Sequence, residues 1–450
     1  MHKNTKTATN SLLTALALSL ALVATTSAVH GAGFAIYEND ARGFAMGGAN
    51  AGKSDDAAAL YSNPAGITQL PGLQIKAGFS LIQPSVDVTT YGHMEFTPGL
   101  VNGQPGLVPG IVGSEATDTS MNNYTEVVPH LYATYRINDD MAVGLAVFVP
   151  YGLKSDFSSN WVGAYNNYYT SIETVEIAPT FAYRLVHDQP WAKQISVAAG
   201  IAITNIAADI RKRVAIGATE TIPQLSNPYT QSMQLGLSGD SWEYGYNFAI
   251  QWEVNDQIGF GIVYRSGFKV KITGADVKRD GTTVASNAWG KLELPESWTF
   301  GVNYSPVAPL NIGFQATRTN WSAYDTLTIN AGAAYGGEIP YPKEWSDVWR
   351  YSIGAEYQLN NALALRGGFV VDKDPVNTAH ADYMVPSNDR QIFSAGLGWT
   401  ISNNVTLDFA AAYLKIKSAR FNGRADDKVL ETNMHTGHAL IFSVSASFRF

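Results

Sequence analysis

The chain has 450 residues, no cysteine and a formal net charge of -8. The negative balance gives no support for a nucleic-acid partner, and the lack of cysteine excludes disulfides as a means of holding the fold together. Charged residues make up only 15% of the chain and aromatic residues 12%, whereas about 25% of the residues in ordinary soluble proteins are charged. This composition suits a surface that faces lipid.

The first 31 residues predict a cleaved secretion signal. Lys3 and Lys6 precede a short apolar stretch from Leu12 to Ala24, and small residues follow it. The stretch is too short for a membrane helix, and no basic cluster follows it, which argues against the alternative of a helical anchor. We expect cleavage before Ala32 and a mature chain that works outside the cytoplasm.

The next segment, residues 32–72, lacks the pattern of a long strand. It is rich in glycine and alanine, and a short helix expected at 55–60 is stopped by Asn63-Pro64. Irregular backbone is tolerated at membrane depth when protein or a water-filled cavity surrounds it. We therefore predict that residues 32–72 form a hatch inside the lumen of the barrel that follows. A small periplasmic appendage is the alternative.

From residue 73 to residue 450, apolar and polar side chains alternate with a period of two. In the last segment, Phe442 and Val444 point one way, and Ser443 and Ser445 point the other. Segments of about ten residues with this alternation and with aromatic residues near their ends are typical of strands that face lipid. We predict fourteen strands, at 73–88, 124–138, 141–157, 172–186, 193–216, 240–254, 257–275, 289–305, 308–330, 344–358, 361–375, 389–402, 403–417 and 437–450.

The connections between these segments alternate between short and long. The short ones consist of turn-forming residues such as Asn138-Asp139-Asp140 and Asn403-Asn404, whereas the long ones are polar and rich in glycine and proline. Short periplasmic turns with long external loops are typical of outer-membrane barrels, and lipid offers no partner for an open sheet edge. The prediction is an all-β, transmembrane antiparallel β-barrel of about 14 strands in the outer membrane of a Gram-negative cell.

Several short motifs carry a resemblance to a known family. The chain resembles the FadL-type outer-membrane transporters of long-chain fatty acids and hydrocarbons, from the predicted cleavage position to Phe450. The motifs that carry the likeness are Ala32-Gly33-Phe34, Asn63-Pro64-Ala65, Tyr151-Gly152-Leu153, Tyr264-Arg265-Ser266, Leu294-Pro295-Glu296-Ser297-Trp298, Trp321-Ser322, Trp349-Arg350-Tyr351 and Pro386-Ser387-Asn388-Asp389-Arg390.

The resemblance implies passive transport of a hydrophobic small molecule. Ligand would be captured near the extracellular loops and passed to an inner pocket touched by the start of the hatch, at Phe34. The cargo would then leave sideways through a gap in the third strand, at Pro150 and Gly152. The sequence is compatible with this gap, because proline lacks a ladder donor and glycine favours bends. An ordinary strand irregularity near the rim is the alternative.

The resemblance also assigns roles to the hatch motif and to two basic residues. Asn63, Pro64 and Ala65 would anchor the hatch, although a helix stop without a transport role explains the same residues. Lys212 and Arg213 are both candidates for binding a cargo carboxylate. The alternative for these two residues is a basic rim that meets lipopolysaccharide or solvent.

One departure from the family leaves the cargo open. The second basic partner of the family would fall just after Trp321-Ser322, where this chain has Thr326, Leu327 and Thr328. Carboxylate recognition is therefore in question, and a neutral hydrocarbon is an equally admissible cargo.

Two other functions compete with transport of a hydrophobic cargo. One is a water-filled general porin, and the other is an outer-membrane lipid hydrolase. We predict no enzyme, because no Gly-x-Ser-x-Gly elbow lies between a strand and a helix. We also predict no cofactor and no metal site. The expected partners are the cargo, outer-membrane lipid and lipopolysaccharide, with the chain acting as a monomer.

Overall fold

The structure, a computed structural model, describes residues 33–101, 104–215, 232–333 and 337–450. The predicted secretion signal lies outside the described residues. No helix in the described ranges is both long and apolar enough to cross a membrane. The helices there are short: α1 (Ala41–Ala45), α2 (Ala59–Ser62), η1 (Pro64–Gln69) and η2 (Trp321–Ala323), where η denotes a 3-10 helix.

Strands make up most of the chain. In chain order they are β1 (Leu73–Ser85), β2 (Asp87–Val101), β3 (Gln104–Ser120), β4 (Glu126–Arg136), β5 (Met141–Phe148), β6 (Gly152–Asp156), β7 (Tyr169–Gln189), β8 (Ala192–Ala215), β9 (Ser232–Glu253), β10 (Ile258–Arg265), β11 (Phe268–Arg279), β12 (Thr282–Leu294), β13 (Ser297–Val307), β14 (Leu310–Thr319), β15 (Thr326–Asn330), β16 (Glu338–Pro342), β17 (Val348–Gln358), β18 (Leu363–Asp372), β19 (Arg390–Ser402), β20 (Val405–Ile416), β21 (Ala419–Phe421), β22 (Glu431–Met434) and β23 (His438–Arg449).

Nineteen of these segments form one sheet that closes on itself, because β1 pairs with β4 on one side and with β23 on the other. Some barrel strands consist of two segments with a break between them, as β5 is continued by β6 and β10 by β11. The predicted closed antiparallel barrel of 14 strands is confirmed. Closure leaves no strand edge facing lipid, where an unpaired backbone group has no partner.

Several of the long connections predicted between the strands contain regular structure instead, among them 89–123, 276–288, 331–343 and 418–436. Segments 89–123 and 418–436 contribute strands to a separate four-stranded sheet, in the order β21-β22-β2-β3. Their glycine and proline content indicated loops, but β2 and β3 pair from Asp87↔Ser120 to Val101↔Gln104 as one long hairpin. The four segments pair with one another, and this cross-strand hydrogen bonding overrides the weak β-propensity of the sequence.

The two faces of the barrel wall have opposite chemistry. On β9, Tyr246, Phe248 and Ile250 are exposed on the outer face, whereas Asn247 and Gln251 are each 1% exposed on the inner face. An apolar outer face and a polar inner face are what a bilayer requires of a barrel wall.

The hatch packs directly against the inner wall through a row of glycines. A Cβ atom added at any of six glycines, each on a different strand, would lie 1.8–2.5 Å from atoms of hatch residues 45–52. Real Cβ atoms do not approach other heavy atoms this closely, so only glycine fits. We call these residues the glycine belt: Gly261, Gly301, Gly313, Gly354, Gly368 and Gly396.

A buried ionic network adds to this contact. The Lys76 side chain of β1 has no exposed surface, and its Nζ lies 2.5 Å from Asp40 Oδ1 and 2.9 Å from Asp56 Oδ2, both in the hatch. It also lies 3.4 Å from Asp408 Oδ2 of the wall strand β20, which is separated from β1 by β23. Loss of one partner would leave a buried charge uncompensated, which is strongly unfavourable. The network therefore holds the hatch to the wall.

We predict that Gly368→Val unseats the hatch, because the new Cβ would lie 2.3 Å from the Gly47 nitrogen. The variant should conduct small ions severalfold better than the parent protein in planar bilayers. Gly367→Val is the matched control, since its Cβ would meet nothing closer than 3.9 Å. Equal conductance of a folded Gly368→Val protein and the control would contradict this role of the glycine belt.

Candidate functional site

The third barrel strand is broken between β5 and β6. β5 pairs with β4 as far as Leu131↔Val147, and β6 pairs with β7 but not with β4. Pro150 and Gly152, the residues singled out in the sequence, lie at this break. Side chains bridge the wall beyond it, where Lys154 Nζ lies 2.8 Å from Glu126 Oε1. The wall between β4 and β6 is therefore held by side chains rather than by a backbone ladder.

The first described residues of the hatch take the place of the missing ladder. The Ile36 nitrogen donates to the Pro150 oxygen at 2.9 Å, and the Gly152 nitrogen donates to the Phe34 oxygen at 2.8 Å. Backbone groups buried at this depth need a hydrogen-bond partner. The hatch supplies it, so the start of the hatch and the break in the wall form one structural unit.

A buried hatch asparagine completes this unit. Asn39 has no exposed surface, its Nδ2 donates to the Val149 oxygen at 2.9 Å, and its Oδ1 accepts from the Val149 nitrogen at 3.2 Å. One side chain thus satisfies both backbone groups of the residue before Pro150. Sequence reasoning missed Asn39, because a single asparagine in an irregular segment carries no pattern.

Phe34 is enclosed by aromatic rings. Its own ring is fully buried, and the ring centroids of its neighbours lie 4.7–6.2 Å away, mostly edge to face. Such pairs add about 0.5–1.5 kcal/mol each beyond the burial of surface. The neighbours, which with Phe34 we call the aromatic cluster, are Tyr151, Trp321, Tyr324 and Trp345.

Two cavities adjoin the aromatic cluster. The upper cavity lies nearer the long connections and has an almost wholly apolar lining that includes Tyr324. The lower cavity reaches the broken strand at Pro150 and Tyr151. Phe34 contacts one lining residue of each cavity, so the start of the hatch lies between them. The upper cavity is lined by Leu153, Thr170, Ile172, Ala208, Ile210, Leu237, Ser238, Gly239, Ile272, Ala275, Gly290, Leu292, Tyr324, Leu327, Ile329, Met384 and Val385.

Of the two predicted basic residues, Lys212 is the one on the cavity side. It lies two residues from Ile210, which lines the upper cavity, and residues two apart on a strand share a face. Its Nζ donates to the Tyr341 hydroxyl at 3.0 Å. In the described ranges no carboxylate pairs with it. Arg213 lies on the opposite face of β8.

A further cation, which is buried, lies beside the upper cavity, and no pattern in the sequence indicated it. Lys343 is 3% exposed, binds the Asp382 carboxylate, and has its Nζ 3.7 Å from the sulfur of Met384, a lining residue. Burial alone would lower the pKa of Lys343, but Asp382 raises it above the ordinary value. Asp382 therefore favours the charged form of Lys343 in spite of its burial. Lys343 and Asp382 lie in separate long connections that only the fold brings together.

The Asn63-Pro64-Ala65 motif ties the hatch to itself and to the wall. Asn63 Nδ2 donates to the Ala51 oxygen at 2.9 Å and to the Ile250 oxygen of β9 at 3.0 Å. Its Oδ1 accepts from the Ala65 nitrogen, and Pro64 begins η1. These contacts fit the anchoring role that the resemblance implies. The motif also follows directly after α2, so the two expected roles, anchoring of the hatch and stopping of the helix, fall on the same residues.

The fold and the site define the protein as an outer-membrane β-barrel with an internal hatch. The family described as "Outer membrane protein transport protein (OMPP1/FadL/TodX)" matches residues 21–450. The chain belongs to this family, whose members are transport proteins rather than enzymes. It is therefore an outer-membrane protein, as the sequence predicted.

Individual relatives are distant but match over nearly their full length. The long-chain fatty acid transport protein of Escherichia coli O6:H1 is 26% identical over 467 residues, covering 97% of this chain and 98% of the relative. Outer membrane protein P1 of Haemophilus influenzae is 24% identical, with 90% of each chain covered.

Solved structures share the same fold. A Pseudomonas aeruginosa FadL homologue superposes with a TM-score of 0.75 at 19% identity, covering 92% of this chain and 99% of its own. The Pseudomonas putida toluene transporter TodX gives 0.65 at 17% identity, covering 92% and 99%.

We predict that Asn39→Ala destabilises the break. Each buried backbone group left unpaired costs about 1–3 kcal/mol, so the folded form should be lost at a lower temperature, as read from heat-modifiable gel mobility. The control is Asn404→Ala, whose side chain caps the Arg449 oxygen in an exposed turn where water can replace it. Equal melting of the two variants would contradict the role given to Asn39.

Proposed function

We propose that the protein carries single-chain hydrophobic molecules, long-chain fatty acids first among them, passively across the outer membrane. The observation that carries the proposal is the almost wholly apolar lining of the upper cavity, which lies against the aromatic cluster. A predominantly apolar lining with few polar groups is typical of sites for small apolar ligands. The fatty-acid transport proteins and toluene transporters among its relatives support the same class of cargo.

Lys212 favours a carboxylate at one end of that cargo. A carboxylate in an apolar pocket gains most from a cation with no acidic partner of its own. Lys212 meets this condition in the described ranges, since its Nζ contacts only the ring and hydroxyl of Tyr341. In contrast, Lys343 is neutralised by Asp382. The fatty-acid chain would occupy the upper cavity, and its head group would lie at Lys212.

Release would follow a path past Phe34 into the lower cavity and out at the broken strand. The lower cavity touches Pro150 and Tyr151, where hatch atoms stand in for a wall strand. Withdrawal of the first hatch residues would open both the aromatic cluster and the wall. Sideways release suits an apolar cargo, because lipid rather than water then receives its hydrocarbon surface.

A neutral hydrocarbon is the second candidate cargo. Thr326 and Thr328 supply no cation where the family has its second basic residue, and Leu327 between them lines the upper cavity. The charge of Lys343 is already balanced internally. Under this alternative, Lys212 belongs to the rim and contributes nothing to affinity.

We predict that Lys212→Met lowers uptake of labelled oleate by about tenfold and leaves uptake of labelled toluene unchanged. A tenfold loss corresponds to one lost charge-assisted contact of about 1.4 kcal/mol. The assay uses cells without their own transporter. Arg213→Met is the matched control, because that side chain lies on the other face of β8. Full oleate uptake by Lys212→Met would favour the neutral cargo.

We predict that Gly152→Val abolishes uptake of both labelled compounds while the barrel stays folded. The added side chain would fill the break, next to the hydrogen bond from the Gly152 nitrogen to Phe34. Gly367→Val, with its side chain directed at lipid, serves again as the control. Normal uptake by a folded Gly152→Val protein would exclude release at this break.

A further inference from the structure

The barrel wall has a second interruption, between β9 and β11. β9 pairs with β10 from Glu253 to Asn247 and with β11 only from Ser238 to Leu235. All residues of the intervening stretches, 239–246 of β9 and 268–275 of β11, are described, yet no ladder pair joins them. Each stretch keeps its ladder on its other side, with β8 and β12 respectively. We call the unpaired stretch the slit.

Side chains replace some of the backbone partners along the slit. At its lower end one backbone hydrogen bond remains, from the Ser266 nitrogen to the Tyr246 oxygen at 2.9 Å. The Ser266 hydroxyl accepts a hydrogen bond from the Tyr246 nitrogen at 2.9 Å, and Glu243 Oε1 accepts from the Lys271 nitrogen at 3.2 Å. Gly274, with a φ of +69°, shifts the register of β11 within the slit. The slit thus resembles the break at Pro150, where groups outside the ladder also supply hydrogen-bond partners for wall strands that are not paired with each other.

At the slit the wall is one side chain thick. Phe268 lines the lower cavity and also lines a groove on the outer surface of the barrel, and Ser266 lines both as well. Opposite Phe268 on β9 is Gly245, which has no side chain to support the ring; a Cβ there would lie 2.8 Å from Phe268 Cε1. The Phe268 ring is therefore the main barrier between groove and cavity.

The groove opens at the height of the outer leaflet. Trp252 and Tyr244 are both exposed on the outer face of β9, and the short turn after β9 marks the periplasmic side. At about 3.3 Å per residue and a tilt near 40°, Tyr244 lies roughly 20 Å above Trp252 within an apolar band about 25 Å tall. Tyr264 and Lys269 also line the groove. An apolar chain with one polar end, lying in the outer leaflet, would meet it directly.

We propose that the slit is a lateral entrance, through which a single-chain lipophile dissolved in the outer leaflet reaches the lower cavity when the Phe268 ring rotates. The polar end of such a molecule would stay at the membrane surface, where Lys269, whose side chain is 86% exposed, lies 3.6 Å from Glu293. This entrance rests on the proposed function, and it adds a second route that bypasses the upper cavity and Lys212.

The test closes the slit with a reversible cross-link, which the absence of native cysteine makes specific. Tyr244→Cys with Lys269→Cys places thiols on the two walls of the groove. Ala395→Cys with Ala411→Cys, facing partners in a continuous ladder, is the control pair. Oleate is supplied already dissolved in the outer leaflet. We expect the slit cross-link to lower uptake severalfold, a reductant to restore it, and the control cross-link to change nothing. Full uptake by the cross-linked slit protein would overturn the proposal.

A second measurement does not depend on transport, so it distinguishes failure of the lateral entrance from failure of the proposed function. Phe268→Cys and Ala410→Cys each place one thiol on the inner side of the wall, at parent positions 5% and 7% exposed. Ala410 lies behind continuous ladders to β19 and β23. We expect a lipid-soluble maleimide in the bilayer to label the thiol at 268 severalfold faster. Equal rates would exclude the entrance, whether or not oleate is transported.

Discussion

The structure depends on one constraint: every backbone N–H and C=O at membrane depth must have a hydrogen-bond partner, because hydrocarbon supplies none. The pairing of β1 with β23 meets it by closing the sheet. Where the ladder fails, the partner comes from elsewhere. Asn39 and the Phe34 backbone serve the break in the third strand, and Glu243 and Ser266 serve the slit. At both openings in this wall, side-chain or hatch atoms therefore take over some of the hydrogen bonds that a ladder would make.

The same constraint explains how much of the fold the sequence could predict. Strand periodicity and turn residues depend on local contacts with lipid and lumen, so the fourteen strands and their closure follow from the alternation along each segment. Breaks within the predicted strands are marked in the sequence where a proline removes a donor, as at Pro150 and at Pro295 between β12 and β13. The break between β10 and β11 lies at Gly267, which is one glycine among many, and no change in the periodic pattern marks the end of β10 there.

The parts of the site that escaped prediction all depend on contacts between distant segments. Asn39 meets Val149 across the lumen, and Lys343 meets Asp382 across two long connections. In neither pair does the chemistry of the contact determine how many residues separate the two partners along the chain. Lys212 and Arg213 could both be proposed from the resemblance. Only the structure shows that Lys212 is the one on the cavity side, because Ile210, two residues before it, lines the upper cavity. The β2–β3 hairpin was hidden by its glycines and prolines.

The aromatic cluster couples the hatch to the upper cavity. Tyr324 touches Phe34 on one side and lines the cavity on the other, with ring centroids 5.6 Å apart for the pair. Two binding events that share one residue are thermodynamically linked, and the linkage is reciprocal. Under the proposed function, a cargo molecule that displaced the Tyr324 ring would weaken the contact to Phe34 by the same free energy with which Phe34 opposes the cargo. Occupancy of the upper cavity would then be coupled to release of the hatch without a separate signal.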